Sequence, residues 1–286
     1  MSAKTIAYQG EPGANSEMAC EERFPGHARL PCDTFEDALG AIGDGRAELG
    51  MIPIENSIAG RVADIHHLLP SANLHIVGEH FLPIRFHLLG VRGARLEDVR
   101  AIYSHVHALG QCRKLIRGLR AAAHVAADTA GAAREVAEWG LRDRAALATA
   151  RAGEIYGLDV LARDAGDEPG NTTRFVILAR ELAHPPPGNG PTITTFVFRV
   201  RNVPAALYKA LGGFATNGVN MSKLESYMIG GAFAATQFLA DVDGHPEDPA
   251  LARALEELAF FCSEVKILGV YPADPYRREA AGSAAA

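Results

Sequence analysis

A proline- and glycine-rich segment, HPPPGNGP at residues 184–191, separates two parts of the chain with different sequence patterns. Its prolines can continue neither a helix nor a central strand, so we predict a semi-rigid linker over residues 183–191. With 286 residues, the chain is long enough for about two domains, each able to bury its own core. We therefore expect one domain on each side of the linker.

Before the linker, short apolar runs alternate with stretches of helical periodicity. The runs predict strands at residues 5–8, 49–54, 76–77, 86–91, 101–103 and 176–178, and the periodic stretches predict helices at residues 34–42, 108–119 and 129–139. Thr34 and Asp37 have the spacing of a helix-start cap. Such alternation is typical of an α/β domain with mostly parallel strands, in which ligands bind where strands end and helices begin.

After the linker, the pattern is that of a smaller sheet with two helices. Alternation predicts strands at residues 195–200, 219–228, 233–242 and 265–268, and helical stripes lie at residues 207–214 and 251–258. The two middle strands would be joined across Gly230 and Gly231. This βαββαβ order predicts a ferredoxin-like fold. A weaker break near Pro272 leaves residues 273–286 as a tail that we expect to be mobile.

Composition excludes several classes of function. A net charge of −6 without a basic tract argues against a nucleic-acid partner. The N-terminus has no apolar signal-peptide region and no run of about 18 apolar residues occurs, so we expect a cytoplasmic protein that does not bind membranes. Cys20, Cys32, Cys112 and Cys262 lack paired spacing for zinc or redox chemistry, which makes them small apolar fillers in a reducing compartment.

Polar clusters follow two strands of the first half. In GEPGANS, at residues 10–16, Asn15 or Ser16 would cap the next helix, while exposed N–H groups of that turn could instead hold a carboxylate. Glu55, Asn56 and Ser57 end a second strand. That triplet can donate, accept and orient a ligand, although Asn56 or Ser57 would equally serve as a helix cap.

Two further clusters complete the set. Ser104 and His105 end another strand, and Gln111 lies one and a half helical turns after His105, although a lone histidine there is often structural. In NTTRF, at residues 171–175, Arg174 could form a fork with a carboxylate and Thr173 could donate to an oxygen. No metal-ligand spacing, nucleophile elbow or activated cysteine is present. The residues alone therefore predict a cleft for a small anion, without a cofactor.

Five short strings, in this order along the chain, resemble those of prephenate dehydratases. They are GEPG at 10–13, PIENSIAG at 53–60, YSH at 103–105, QC at 111–112 and TTRF at 172–175. The C-terminal part resembles an ACT regulatory domain, and the resemblance spans residues 4–272. It implies a catalytic domain at 1–182 and an ACT domain at 192–272. The catalytic domain would have two lobes, like a periplasmic binding protein, at about 1–78 plus 173–180 and at 79–170.

The resemblance also implies an activity and its residues. The family converts prephenate into phenylpyruvate, with loss of water and carbon dioxide and without a metal or cofactor. Its essential threonine lies in Thr-Arg-Phe, which is Thr173 here and not Thr172. The other expected catalytic residues are Glu55, Asn56, Ser104, His105 and Gln111. Expected substrate contacts are Arg174, Asn15, Ser16, Ser57, Thr172 and Phe175. Arg174 would either bind a substrate carboxylate or pin the two lobes together.

ACT domains of this family bind phenylalanine, the end product of the pathway, where two copies pair, which implies a homodimer or homotetramer. The expected effector residues are Ala205, Ala206, Leu207, Asn220, Leu224, Glu225 and Ser226. Two strings depart from the family pattern. Gly-Ala-Leu-Val is AALY at 205–208, and Glu-Ser-Arg-Pro is ESYM at 225–228. The second change removes a charge and a rigid bend, which leaves effector identity and strength open.

Two other functions remain open. Arogenate dehydratase is the alternative within the class, because its substrate differs from prephenate only in carrying an amino acid in place of the keto acid. A two-lobed amino-acid-binding sensor without catalysis is the alternative from another class. The lack of a signal peptide argues against a periplasmic binder, and the combination of Thr173, Glu55 and His105 favours an enzyme.

Overall fold

The computed structural model describes residues 4–201, 203–228 and 235–279. The chain divides into two compact units, one of Met1–Ile65 with His80–Phe175 and one of His66–Glu79 with Val176–Ala286. Residues 66–79 and 176–182 thus group with the C-terminal unit, although the sequence pattern assigns them to the catalytic domain. The functional domain boundaries stay a prediction.

The helices and strands follow one another in this order. The first lobe contains β1 (Thr5–Gln9), α1 (Asn15–Arg23), β2 (Ala28–Cys32), α2 (Phe35–Gly43), β3 (Leu49–Asn56) and β4 (Gly60–Arg61). Next along the chain are α3 (Ala63–Leu68) and β5 (His75–Pro83). The second lobe contains β6 (His87–Gly90), β7 (Ala101–Ser104), α4 (Val106–Gln111), α5 (Arg113–Leu119), β8 (Ala122–Val125), α6 (Thr129–Trp139), β9 (Arg144–Ala148), α7 (Ala150–Tyr156) and β10 (Asp159–Ala162). The remaining elements are β11 (Thr172–Ala179), β12 (Thr192–Val200), α8 (Ala206–Thr216), β13 (Met221–Met228), β14 (Ala235–Asp243), α9 (Pro249–Phe261) and β15 (Cys262–Pro272).

The first lobe is built on a sheet with the strand order β11-β3-β1-β2. Strand β1 pairs in parallel with both β2 and β3, as the alternation of strands and helices predicts. Its apolar residues are fully buried, because helices cover the sheet. The cap predicted for α2 is confirmed: Thr34 Oγ1 accepts a hydrogen bond of 3.0 Å from the N–H of Asp37.

The second lobe has a mixed sheet in the order β10-β6-β9-β7-β8. Strand β6 is antiparallel to both of its neighbours, so the prediction of mostly parallel strands fails on this side. The structure has two helices where the sequence predicts a single helix at residues 108–119, and they meet at Cys112. The second begins there because the Asp167 carboxylate accepts hydrogen bonds from the N–H groups of Arg113 and Lys114.

The C-terminal unit contains the expected βαββαβ sequence of elements. Its strands are antiparallel in the order β13-β14-β12-β15. The core between sheet and helices includes Phe196, Phe198, Phe214, Phe238 and Leu258. The fold class is therefore confirmed as a two-lobed α/β domain with a ferredoxin-like C-terminal domain. The junction predicted at Gly230 and Gly231 lies outside the described residues.

Part of the predicted tail forms hydrogen bonds with a buried carboxylate. The N–H of Asp274 donates to Glu79 Oε1 at 3.0 Å, and Arg277 forms a bidentate pair with the same carboxylate at 2.7 and 2.9 Å. Both partners belong to the C-terminal unit. These contacts supply the partners that a buried carboxylate requires, and the mobility of residues 273–286 stays a prediction. Residues 280–286 lie outside the described part of the chain.

The four cysteines are free and buried, as expected of apolar fillers. Burial raises the pKa of the thiols of Cys20 and Cys112 to about 12 and that of Cys262 to about 11, so none is a thiolate at neutral pH. None of the helices among the described residues has both the length and the apolar character that a membrane span requires.

Candidate active site

The polar clusters that follow the strands come together around one cavity of about 800 Å³ in the first unit. Both lobes and β11 contribute to its walls. The expected site residues that line it are Asn15, Ser16, Asn56, His105, Gln111, Thr173 and Phe175. Because β1, β3 and β7 deliver their C-terminal ends to this cavity, it has the location expected for a ligand site in an α/β fold.

Thr173 is held by Asn56 on the cavity wall. The Nδ2 group of Asn56 donates to Thr173 Oγ1 at 3.0 Å, and its Oδ1 accepts from the N–H groups of Ile58 and Ala59 at 3.0 and 2.7 Å. These backbone donors fix the orientation of the Asn56 amide. Since Thr173 Oγ1 accepts this bond, its own proton is available to a molecule in the cavity.

Neighbouring residues of β11 point to opposite faces, which separates them functionally. Thr173 and Phe175 line the cavity, whereas Thr172 and Arg174 are buried and do not. Arg174 NH1 instead lies 2.7 Å from Glu55 Oε1 on neighbouring β3, and only 3% of the arginine side chain is exposed. This pair joins two strands of the first lobe, and Arg174 does not line the cavity, so both alternatives for its role stay predictions. Glu55 likewise does not line the cavity.

Two predicted serines also take structural roles. The hydroxyl of Ser104 is fully buried and donates to the carbonyl of Leu147 at 2.6 Å, which removes it from the cavity. Ser57 Oγ donates to the carbonyl of Gly170 and accepts from the N–H of Thr172. None of Ser57, Ser104 and Thr172 lines this cavity, and their direct contact with a ligand stays a prediction.

Neither Asn15 nor Ser16 is the N-cap residue of α1. Ala14 is at the N-cap position, and Glu17 Oε2 accepts a hydrogen bond of 2.6 Å from the N–H of Gly13. Asn15 and Ser16 are therefore the first helical residues and line the cavity instead of capping the helix. The start of α6, at Asp128 and Thr129, also lies on the cavity wall. Helix N-termini favour anionic groups, although Asp128 itself accepts from the N–H of Gly131.

His105 lies on the cavity wall as a neutral imidazole at neutral pH. Burial, reinforced by the neighbouring charge of His107, holds its pKa below the ordinary value of 6.5, with Asp128 acting in the opposite direction. Its Nδ1 accepts from the N–H of His107 at 3.4 Å. The neutral ring therefore carries its proton on Nε2 and can donate a hydrogen bond.

This lowered pKa predicts a pH dependence of stability. The unfolded chain binds a proton near pH 6.5, whereas folded His105 binds it only at lower pH. The free energy of unfolding should therefore decrease as pH falls below 6.5, by at most about 1.4 kcal/mol per pH unit for this group. His87, whose pKa burial also lowers, adds to the same trend. Urea denaturation between pH 7 and 5 should show a smaller decrease in His105→Gln than in the wild type. An unchanged slope in that variant would contradict the assignment.

Several residues that line or adjoin the cavity were not among the expected site residues. Asn171 joins Asn56 and Gln111 through side-chain hydrogen bonds of 2.7 Å each. Arg61 brings a permanent positive charge and Asp128 a carboxylate to the wall. Two of them had a visible signal in the sequence, since Asn171 begins the polar string at residues 171–175 and Arg61 directly follows the one at 53–60. No group of metal-binding side chains suited to hold an ion occurs within the described residues.

The two lobes also contact each other beside the cavity, through residues 11–14. Thr149 Oγ1 of the second lobe donates to the carbonyl of Gly13 at 2.6 Å and is itself buried. Glu11 pairs with Arg134 at 2.8 and 3.0 Å. The hydrogen bond from Arg134, more than its charge, holds the pKa of Glu11 below its usual value. The loop after β1 therefore both borders the cavity and joins the lobes.

The model of the prephenate dehydratase family matches residues 6–183. The chain belongs to the prephenate dehydratase family. It is 55% identical over 277 residues to the bifunctional N-acyl-homoserine lactone acylase/prephenate dehydratase of Komagataeibacter europaeus, covering 96% of this chain and 98% of that one. It is 37% identical over 278 residues to arogenate dehydratase/prephenate dehydratase 2 of Arabidopsis thaliana, covering 94% and 73% of the two chains. The crystal structure of prephenate dehydratase from Arthrobacter aurescens in complex with L-Phe has a TM-score of 0.85 and 32% identity, over 98% and 96% of the chains.

The residues expected to bind an effector in prephenate dehydratases of this kind lie on two elements of the C-terminal unit. Ala205 precedes α8 in a left-handed conformation, with φ of 62°, and Ala206 and Leu207 begin that helix. Leu224, Glu225 and Ser226 lie on β13, where Leu224 is partly exposed. Asn220, just before β13, donates to Asp243 Oδ2 at 2.8 Å, so its amide is already engaged.

Tyr227 stands where the family string has arginine, and the structure gives it an apolar role. The ring is 5% exposed and lies against His66 and His67, with ring centroids 6.1 and 5.8 Å away. All three residues belong to the C-terminal unit. Burial raises the pKa of Tyr227 to about 12, so the residue is neutral at physiological pH. The charge of the family's arginine is therefore replaced here by aromatic packing.

Proposed function

We propose that this protein is a prephenate dehydratase that forms phenylpyruvate, water and carbon dioxide from prephenate. The observation that carries the proposal is the Thr173 hydroxyl, which lines the cavity and accepts from Asn56 so that its proton points to a ligand. Membership of the family supports the reaction class. In this proposal residues 1–182 form the catalytic domain and residues 192–272 the regulatory domain.

The reaction makes one demand that these residues can meet. As the carboxylate leaves as carbon dioxide, its bonding electrons complete the aromatic ring and expel the ring hydroxyl as hydroxide. Aromatisation drives the reaction, so the obstacle is the poor leaving group. A threonine is too weak an acid to be the final proton source. Thr173 therefore donates a hydrogen bond to the departing oxygen, and a proton from water completes the water product.

An assay of purified protein with prephenate tests this proposal. Phenylpyruvate should appear, as detected by its ultraviolet absorbance, without added metal or cofactor. Absence of turnover would reject the proposal and favour the alternative function, a two-lobed amino-acid-binding sensor without catalysis. Calorimetry with phenylalanine and related amino acids would then identify its ligand.

Arg61 is the residue that we expect to bind a carboxylate of this dianionic substrate. A charge-assisted hydrogen bond contributes about 1.5–3 kcal/mol, so Arg61→Ala should raise KM at least about 10-fold with little change in kcat. Arg61→Lys should recover part of the loss, because it keeps the charge but not the fork. Arg95→Ala, at an exposed arginine that does not line the cavity, is the matched control. An unchanged KM in Arg61→Ala would remove Arg61 from the site.

Arogenate is a second candidate substrate, supported by the acidic side chains of Asp64 and Asp128 on the cavity wall. The ammonium group of arogenate replaces the keto oxygen of prephenate, and a carboxylate would stabilise it. The relative from Arabidopsis carries both activities in its name. Comparing kcat/KM for the two substrates decides the preference: a higher value for arogenate would overturn our assignment of prephenate.

A second activity is proposed from the name of the Komagataeibacter relative, an acylase of N-acyl-homoserine lactones. The four buried cysteines do not supply a thiolate for it, because burial raises their pKa values. If the same cavity hydrolyses the amide bond of an N-acyl-homoserine lactone, Thr173→Ala should lower both the acylase and the dehydratase activity. Release of homoserine lactone from an N-acyl substrate, measured by mass spectrometry, tests the activity. The acylase activity would be rejected if no homoserine lactone were detected at an enzyme concentration that converts all prephenate in the dehydratase assay.

We also propose that phenylalanine inhibits the enzyme through the C-terminal domain, acting at a homodimer or homotetramer. The L-Phe complex of the Arthrobacter relative supports phenylalanine as the effector. The expected contacts are Ala205, Ala206, Leu207, Asn220, Leu224, Glu225 and Ser226. Titrating phenylalanine against the initial rate should reveal inhibition. No effect at millimolar concentrations would mean that the domain responds to another ligand or only joins subunits, and light scattering gives the subunit number.

A further inference from the structure

A chain of side-chain amides crosses the cavity wall from one lobe to the other. Asn56 lies at the end of β3 in the first lobe, Gln111 at the end of α4 in the second, and Asn171 immediately before β11. Asn171 Oδ1 accepts from Asn56 Nδ2 at 2.7 Å, and Asn171 Nδ2 donates to Gln111 Oε1 at 2.7 Å. All three side chains are partly buried, so these bonds are shielded from water.

The direction of every bond in this chain follows from its first member. The N–H groups of Ile58 and Ala59 can only donate, so the atom of Asn56 facing them is its oxygen. Asn56 must then present its NH2 group to Asn171, which must accept with its oxygen. The NH2 group of Asn171 is left to face Gln111, and Gln111 must meet it with its oxygen.

The end of the chain is therefore a hydrogen-bond donor. With Oε1 occupied by Asn171, Gln111 has its NH2 group left for other partners. The contact from Gln111 Nε2 to Asn56 Oδ1 is 3.5 Å, at the upper limit for a hydrogen bond. This NH2 group thus remains available for an oxygen atom of a ligand in the cavity that Gln111 lines.

We infer that Asn171 is a positioning residue, which acts on the reaction by holding the Gln111 amide with its NH2 group towards the substrate. The inference rests on the proposed dehydratase function, in which an anionic substrate offers oxygen atoms to that donor. The Asn56 amide, which holds Thr173 Oγ1, is fixed independently by the N–H groups of Ile58 and Ala59. The two bonds of Asn171 reach residues 115 and 60 positions away in sequence and from different lobes.

The variant Asn171→Asp tests the direction of the hydrogen bonds from Asn56 and to Gln111, because it hardly changes the volume of the side chain. An ionised aspartate still accepts from Asn56 but cannot donate to Gln111 Oε1. Gln111 must then turn its NH2 group towards residue 171, and its oxygen faces the anionic substrate. We expect kcat to fall about 10²-fold, as for a misplaced active-site group. The same substitution at the exposed linker residue, Asn189→Asp, is the matched control and should leave kcat unchanged.

The pH profile separates this role from a merely structural one. When the aspartate is protonated, its O–H can donate to Gln111 while its other oxygen accepts from Asn56, which restores the original pattern. The kcat of Asn171→Asp relative to the wild type should therefore rise as pH is lowered from 8 to about 5. A ratio that does not rise would overturn the inference.

A double-mutant cycle with Gln111→Ala tests whether Asn171 acts through Gln111. In the Gln111→Ala background, Asn171→Ala should cost little further kcat, because the group that it positions is gone. Full additivity of the two losses would reject the inference, as would wild-type kcat in the single Asn171 variants. Circular dichroism and urea denaturation confirm folding, and the Asn171→Ala cycle replaces Asn171→Asp if the latter does not fold. Absence of turnover in the wild type would reject the proposed function instead.

Discussion

Replacing Thr173 by alanine is expected to lower kcat by about 10²–10³-fold, the usual loss when one donor to a developing negative charge is removed. The hydroxyl lines the cavity, and Asn56 donates to its oxygen at 3.0 Å. The departing hydroxide would therefore lose the donor that stabilises it. KM should change less, since the interaction strengthens only as the carbon–oxygen bond breaks. Steady-state assays of phenylpyruvate formation give kcat, and single-turnover measurements give the rate constant of the chemical step without a contribution from product release.

Control variants and stability measurements separate a catalytic role of Thr173 from a structural one. Thr173→Ser keeps the hydroxyl and should retain most of the activity, whereas the isosteric Thr173→Val should resemble alanine. The loss of one partly buried hydrogen bond costs about 1 kcal/mol, so all three variants should fold. Near-normal turnover in Thr173→Ala or Thr173→Val would remove Thr173 from the chemistry, and equal losses of kcat and stability would indicate a structural role.

The convergence of polar clusters could be predicted from sequence because it depends on a general property of α/β sheets. Apolar runs at residues 5–8 and 49–54 mark buried strands, and parallel strands bring their C-terminal ends to one edge. Asn15, Asn56 and His105 meet at the cavity for this reason. The family resemblance then indicated Thr173, not Thr172, as the essential threonine.

The two-residue alternation of a strand contained information about which residues share a face. In β11, Thr173 and Phe175 face the cavity while Thr172 and Arg174 face away from it. On neighbouring β3, Asn56 lies with Thr173, and Glu55 lies with Arg174. Treating TTRF as a strand from its first residue would have placed Thr172 and Arg174 on the face opposite Thr173. The predicted strand at 176–178 began too late for this inference.

Other features depend on contacts between distant parts of the chain. Asn171 takes its role from partners on two lobes, and nothing in its immediate neighbours specifies them. The break of the helix at Cys112 likewise depends on Asp167, more than 50 residues away. The hydrogen bonds from Asp274 and Arg277 to Glu79 likewise join segments of the C-terminal unit that are distant in sequence. Local pattern predicts the existence of elements, but such side-chain contacts depend on the assembled fold.

Replacing Gly13 by alanine is expected to destabilise the catalytic domain and lower kcat/KM together. Gly13 has φ of 91°, in the left-handed region that costs other residues about 1–2 kcal/mol. An added Cβ would also lie 2.7 Å from Ala152 Cα, a backbone atom of α7 in the second lobe. Relieving such an overlap costs about a further 1–3 kcal/mol. The midpoint of urea denaturation and kcat/KM for prephenate measure the two effects.

A substitution at a second glycine separates the cost of the left-handed backbone conformation from the cost of the steric overlap. Gly140 has φ of 65° at the end of α6, but an added Cβ would meet no atom within 4 Å. Gly140→Ala should therefore show only the cost of the left-handed conformation, with kcat/KM retained. The difference between the two variants measures the close contact between the lobes at Gly13, where Thr149 donates to its carbonyl. Since that contact joins the walls of the cavity, separating it should displace Asn15 and Ser16 relative to His105 and Gln111. Equal stability of the two variants, with full activity of Gly13→Ala, would show that the lobes do not depend on this contact.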